Sequence, residues 1–260
     1  MDDSAFVAYV GERLGSLPGV EAVTLGGSRA EGTNRPDSDW DFSIYYRGAF
    51  DPQGLRELGW PGVVGELGSW SSVPDTVFNG GAWLTIEGRQ SDVHYRDLDV
   101  VEHVITEAGE GRFTTEPLWF HLARLPSYFA MAELAMNRVL VGDPPVVHSY
   151  PEALRGHAPD VWWTQAEAEF DYASRYHASS GRLTQCLGLV ARAATCSAHA
   201  VLAARGIWIT NEKQLFVRAG LREVDSILSA ATADPARLLL TVDEARTLCA
   251  ESLREARAER

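Results

Sequence analysis

Apolar positions in the first hundred residues switch between a helical and a strand period, and from there on the helical period prevails. Phe6, Val7, Val10, Leu14 and Leu17 recur at near-helical spacing, which predicts an amphipathic helix over 3–17 laid on a sheet. Pro18-Gly19 ends it. Val20 to Leu25 is a continuous apolar run, the pattern of a buried strand, and Gly26-Gly27 stop it ahead of a short helix near Ser28. Gly32 to Asp37 is a polar turn. Ser38 to Tyr46 alternates polar with apolar, as a strand buried on one face does. Leu55, Leu58 and Trp60 predict a helix from Pro52. Gly62, Gly65 and Gly68, with Ser69, Ser71 and Ser72, predict loop and short strand. After the turn signal Asn79-Gly80-Gly81, the segments Ala82 to Glu87 and Ser91 to Arg96 form a hairpin around Gly88-Arg89-Gln90. Asp97-Leu98-Asp99 caps a helix over 97–108, which Gly109-Glu110-Gly111 breaks.

Beyond that break, Glu116 to Leu125, Tyr128 to Leu140 and Glu167 to Tyr176 have helical composition. Pro144-Pro145 and Pro151 mark a loop between the second and third. Thr184 to Arg205 is a long helix rich in Ala and Leu, closed by Gly206, and a last helix runs from about Thr241. The change of period predicts an α+β chain of two domains: residues 1–110 with a small mixed sheet flanked by helices, and residues 111–260 as an all-α helical bundle.

Composition narrows the function classes. The chain has 260 residues and a formal net charge of −13, a field that repels phosphate backbones and argues against a nucleic-acid partner. The same charge suits a cationic small substrate, or serves solubility alone. No run approaches the roughly 18 consecutive apolar residues of a membrane span, and Met1-Asp2-Asp3-Ser4 lacks the basic flank of a secretory signal, so the expectation is a cytoplasmic protein with no membrane partner. Cys186, Cys196 and Cys249 have no metal-like spacing and read as buried thiols. Lys213 is the only lysine among 23 basic residues.

Residues 20–46 carry the candidate chemistry. Paired glycines before a small hydroxyl residue let a ligand approach the backbone, and the free amides of a helix starting at Ser28 favour an anion. Asp39 and Asp41, two apart on a strand, share a face at roughly 7 Å, with about 3.3 Å per residue. Carboxylates so placed repel unless a cation sits between them, and oxygen donors of this kind suit Mg²⁺ held jointly with substrate phosphates. On the hairpin, Asp92 and His94 share a face; Asp92 faces the Asp39/Asp41 pair if the hairpin joins the same sheet. His94 either lines that cleft or is a hydrogen-bonded structural histidine. Trp162, Trp163, Phe170, Tyr172 and Tyr176 either stack on a ligand ring or form helical core.

The order strand, Gly26-Gly27-Ser28, short helix, Asp39-Trp40-Asp41 strand resembles the DNA polymerase beta-like nucleotidyltransferase superfamily. Within it the chain looks most like the small-molecule, kanamycin-type nucleotidyltransferases with a C-terminal helical domain. The resemblance covers about residues 20–97. It implies Mg²⁺ held by Asp39, Asp41 and a third carboxylate, for which Asp92 is the candidate. It further implies a nucleoside triphosphate bound by Gly27, Ser28, Arg29 and Ser38, with Lys213 either reaching the triphosphate from the helical domain or lying on the surface. Arg35 is a weaker candidate than Arg29. The implied reaction is transfer of a nucleoside monophosphate, AMP from ATP, to a hydroxyl of a small molecule such as an aminoglycoside or lincosamide antibiotic. Asp92 would then be the general base, a metal ligand or both, in a monomer or homodimer. Two rival readings are an antitoxin-like adenylyltransferase acting on a protein partner and a catalytically silent nucleotide-binding module.

Overall fold

The computed structural model describes residues 1–68 and 76–259; Ser69, Ser71 and Ser72, expected in a loop, lie outside the described residues. The chain forms two compact units. The first comprises residues 1–107, 114–118 and 126–149, and the second comprises 108–113, 119–125 and 150–260.

The first unit begins with α1 (Asp3–Gly15), whose N-cap Asp2 accepts a hydrogen bond from the Ala5 amide at 2.8 Å. β1 (Val20–Leu25), the single-turn α2 (Gly27–Glu31), β2 (Trp40–Tyr46), α3 (Pro52–Glu57), β3 (Gly62–Val64), β4 (Gly81–Ile86) and β5 (Arg89–Asp97) follow, then α4 (Leu98–Gly109). β6 (Thr115–Glu116) and β7 (Leu125–Pro126) are two-residue strands; α5 (Phe129–Met136) and β8 (Arg138–Val141) complete this part of the chain. The main sheet runs β3-β4-β5-β2-β1-β8, antiparallel except for the β2–β5 pair. It is the small mixed sheet the sequence predicts.

Strand alternation gives this sheet two unlike faces. Val23 and Leu25, Trp40, Phe42, Ile44 and Tyr46, Ala82, Leu84 and Ile86, and Val93 and Tyr95 all enter one apolar cluster. α1 seals it with Phe6, Val10 and Leu14; Phe6 meets Trp40 edge-on at 4.9 Å. The intervening residues, Thr24, Asp41, Ser43, Asp92, His94 and Arg96, face the other way.

In the second unit α6 (Glu152–Tyr172) continues as a π-helical turn over Ala173–His177 and packs on α7 (Leu183–Arg205). α8 (Leu215–Ala219), α9 (Glu223–Ser229) and α10 (Pro235–Ala258) complete it. α7 ends on Gly206 in the left-handed conformation, as its sequence predicts. By length and hydropathy α7 matches a membrane span, and 72% of its most apolar window is buried, which is the signature of a core helix. All three cysteines are buried free thiols.

Three expectations change. Glu116 to Leu125 is not a helix; the stretch runs from the two-residue strand β6 through turns to β7. Tyr128 to Leu140 is half helix, because Arg138–Val141 leaves α5 and pairs antiparallel with β1. That edge strand also overturns the single boundary near residue 110: residues 126–149 belong with the first unit because β8 extends its sheet.

Candidate active site

Parallel pairing of β2 with β5 sets Asp41 opposite Asp92 and Ser43 opposite His94, and β1 adds Thr24 opposite Ser43. Residues 92 and 94 share a face because they are two apart on one strand. The outcome is a trio: one donor atom each from Asp41, Asp92 and His94, all within 4.8 Å of one another and all half-buried. Asp92 thus joins the β2 carboxylate, as the family resemblance implies.

The Gly26-Gly27 turn is shaped by Asp41. The Gly26 amide donates to the Asp41 carbonyl at 2.7 Å. Gly27 has φ +61, and a Cβ there would stand 1.9 Å from Asp41 Oδ2. Only glycine therefore lets the carboxylate lie against this backbone. Ser28 is half-buried in the first turn of α2, which Gly32 closes in the left-handed conformation.

Arg29 is engaged with the following loop. Its Nη2 donates to the Ser38 carbonyl at 2.7 Å, its Nε lies 3.2 Å from the Asp39 carbonyl, and its guanidinium covers the Trp40 ring at 4.0 Å. The Ser38 hydroxyl accepts from the Arg35 amide at 2.9 Å. Arg35 pairs with Asp37 at 3.0 Å on the open surface. Asp39 is exposed one residue ahead of the β2 ladder and is outside the convergent trio. Lys213, in the second unit, follows Asn211, whose side chain accepts from the Lys213 amide at 3.0 Å; its own side chain is exposed. The aromatic cluster divides: Trp162 and Phe170 are core, whereas Tyr172 and Tyr176 are about half exposed.

Further along the polar face, Arg96 is buried and makes a two-pronged ion pair with Glu133 of α5, at 2.6 and 2.7 Å. Burial opposes the charge on Arg96, but the Glu133 carboxylate outweighs it and raises the guanidinium pKa. Burial first, and the positive Arg96 second, push the His94 pKa down to about 4, with Glu133 opposing. His94 is therefore a neutral imidazole at neutral pH, with a lone pair to offer. Two carboxylates and a neutral imidazole at this spacing fit a divalent cation. A groove of about 690 Å³ between α1 and β8 is lined by none of these groups.

Residues 7–72 match the family described as nucleotidyltransferase domain. The chain carries a nucleotidyltransferase domain. The matched stretch takes in Gly26-Gly27-Ser28, Asp39 and Asp41 and stops before β5, so Asp92 and His94 are contributed from beyond it. No curated protein matches the chain. Among solved structures it is similar to a nucleotidyltransferase-like protein from Exiguobacterium sibiricum, at 9% identity, covering 98% of this chain and 78% of that one with a TM-score of 0.46. It is also similar to spectinomycin adenyltransferase AAD(9) from Enterococcus faecialis with ATP and spectinomycin, at 12% identity, 94% of each chain and a TM-score of 0.33. A third is the Elizabethkingia meningoseptica CdnE cyclic dinucleotide synthase, at 12% identity, 97% and 91% coverage and a TM-score of 0.27. Similarity at this level leaves the acceptor of the nucleotidyltransferase domain to be argued from its own residues.

Sequence reasoning missed Glu133, which holds Arg96, because nothing local links a helix residue to a strand residue 37 positions away. That Asp92 and His94 share a strand face was legible from their spacing; whether His94 lines the cleft or is structural was not.

Proposed function

We propose that this chain transfers AMP from ATP to a hydroxyl of a small, neutral or cationic polyhydroxylated molecule, with a divalent cation as cofactor. The observation that carries the reading is the register that sets Asp41 against Asp92 beside the bare Gly27 backbone. A net charge of −13 favours such an acceptor over a polyanion.

The acceptor oxygen attacks the α-phosphorus, the bond to the bridging oxygen breaks, and pyrophosphate leaves with that electron pair. Asp92 takes the acceptor's proton as the oxygen–phosphorus bond forms. Asp41 and Asp92 would hold the cation, with Asp39 exposed at the open end of β2. A cation bound there would neutralise charge on the triphosphate and on the attacking oxygen. Ser28 and the Gly27-Ser28 amides bind phosphate oxygens at the start of α2. Arg29 fixes the 38–39 turn from which Asp39 and Asp41 emerge, and Ser38 anchors the same turn.

Labelled ATP, a divalent cation and a panel of hydroxylated small molecules provide the test. A product heavier than its acceptor by one nucleoside monophosphate supports the reading. Label appearing only on nucleic acid or on a protein, or no transfer with any acceptor, overturns it.

A further inference from the structure

Mg²⁺ is the cation expected of an all-carboxylate site, because it demands oxygen donors and surrenders its waters reluctantly. The donors that converge here are not all oxygens. Asp41, Asp92 and His94 each offer one atom within 4.8 Å of the others, whereas Asp39 stands outside that group. We propose that His94 is a direct cation ligand, and that this trio takes a first-row transition dication such as Mn²⁺ or Co²⁺ in preference to Mg²⁺. The inference deepens the nucleotidyl-transfer reading and rests on it only for what the cation is used for.

Three observations carry it. The first is spacing. Metal–donor bonds of about 2.0–2.2 Å put neighbouring ligands about 3 Å apart and opposite ones about 4.3 Å apart. Atoms already within 4.8 Å of one another reach that geometry by side-chain adjustment, with no change of backbone register. The second is how the trio is built. Asp41 faces Asp92 through the parallel ladder, and His94 lies two residues along the same strand, so backbone register and not one side-chain rotamer holds the three together. The third is the immediate surroundings. Arg96, next on the same face, is committed to Glu133 through two hydrogen bonds. The His94 ring lies tilted at 58° to the Phe78 ring, with centroids 5.9 Å apart. An imidazole nitrogen is a softer donor than a carboxylate oxygen and favours first-row transition ions over Mg²⁺.

The test uses the full chain without nucleotide and Mn²⁺ as probe. Pulsed electron paramagnetic resonance of bound Mn²⁺ should show modulation from a directly coordinated nitrogen, and equilibrium titration should show Mn²⁺ displacing Mg²⁺. In His94→Gln, shown folded by circular dichroism, the nitrogen modulation should vanish. Mn²⁺ affinity should fall by about tenfold or more, while Mg²⁺ affinity should change by less than about threefold, since Mg²⁺ gains little from imidazole. Should that variant not fold, Asp92→Asn serves instead: it should weaken Mn²⁺ binding, and the nitrogen modulation should disappear with the bound ion.

Bound Mn²⁺ with no nitrogen modulation, nitrogen modulation that persists in folded His94→Gln, or no Mn²⁺ binding at all would each overturn the proposal. Mn²⁺ held through Asp41 and Asp92 without nitrogen sinks the His94 assignment and leaves nucleotidyl transfer standing. Nitrogen coordination in a protein that transfers no nucleotide to any acceptor does the reverse.

Discussion

The two faces of the main sheet are written in alternate residues of the same strands, yet they do opposite things. Phe42 and Val93 point into a dry cluster sealed by α1, where each buried atom adds to stability. Asp41 and Asp92, their neighbours in sequence, point to a face where two carboxylates stand side by side at a cost to the fold. One face supplies the rigidity; the other spends part of it to hold like charges together. A strand one residue out of register would exchange the two faces, so the apolar cluster that stabilises the sheet also fixes where the carboxylates point.

The sharpest way to break this division is a pair of substitutions with opposite signatures. Asp92→Asn should lower kcat by about 10²–10⁴, the range for a lost general base and equivalent to about 3–5 kcal/mol of barrier. The melting temperature should hold or rise, because like-charge repulsion is relieved. Phe42→Ala, on the fully buried side, should cost about 3–5 kcal/mol of stability. Below its melting temperature it should keep a kcat near that of the parent. Single-turnover assays beside calorimetric melts decide it. If Asp92→Asn destabilises as much as Phe42→Ala, the two faces are not separate in function.

Next in size is Gly27, where the polar face meets the phosphate turn. Gly27→Ala must place a Cβ 1.9 Å from Asp41 Oδ2 in a backbone with φ +61. The strain alone is on the order of 1–3 kcal/mol, and the carboxylate must move. We expect a lower melting temperature together with weaker nucleotide and cation binding by isothermal titration. A variant that melts early but binds nucleotide normally would show that Asp41 has no part in triphosphate binding.

How much of this was legible follows from what is local in the chain. Gly26-Gly27-Ser28 and the β2 alternation lie within twenty residues of each other, so their order was readable before any fold was known. That Asp92 and His94 share a face was readable from the hairpin over Ala82 to Arg96, whereas the meeting of Asp92 with Asp41 was expected only through the family resemblance and depends on the parallel β2–β5 pairing. Pairing between distant segments was not readable. Arg138–Val141 continues the apolar run of α5, and only its partner β1, more than a hundred residues earlier, makes it a strand. The strand argument for Asp39 also reached too far: alternation holds inside a ladder, and the ladder begins at Trp40. In the second unit, Glu212 shows the same limit. It accepts the amides of Leu122 and Ala123 at 2.7 and 3.1 Å and stands 3.9 Å from His199, a buried node that no local pattern announces.

The smallest expected effect separates the faces by pH. The apolar cluster contains no histidine, whereas the polar face carries His94. Burial and Arg96 depress its folded-state pKa to about 4, against about 6.5 for an unfolded histidine. Between those values the unfolded chain binds more protons than the folded one, so stability rises with pH through the window and is lost as pH falls from about 6.5 toward 4. Between pH 7 and pH 5 that linkage is worth up to about 2 kcal/mol, and residual solvent at the half-buried ring brings it nearer about 1 kcal/mol. Urea denaturation at the two pH values measures it in the parent chain and in His94→Gln. Burial also lowers the His121 pKa and raises the Glu169 pKa, so the difference between the two proteins isolates His94. The variant should lose less stability on acidification than the parent does. Equal losses would mean that His94 is as easily protonated in the folded chain as in the unfolded one, and the polar face would then be wetter than its packing against Phe78 implies.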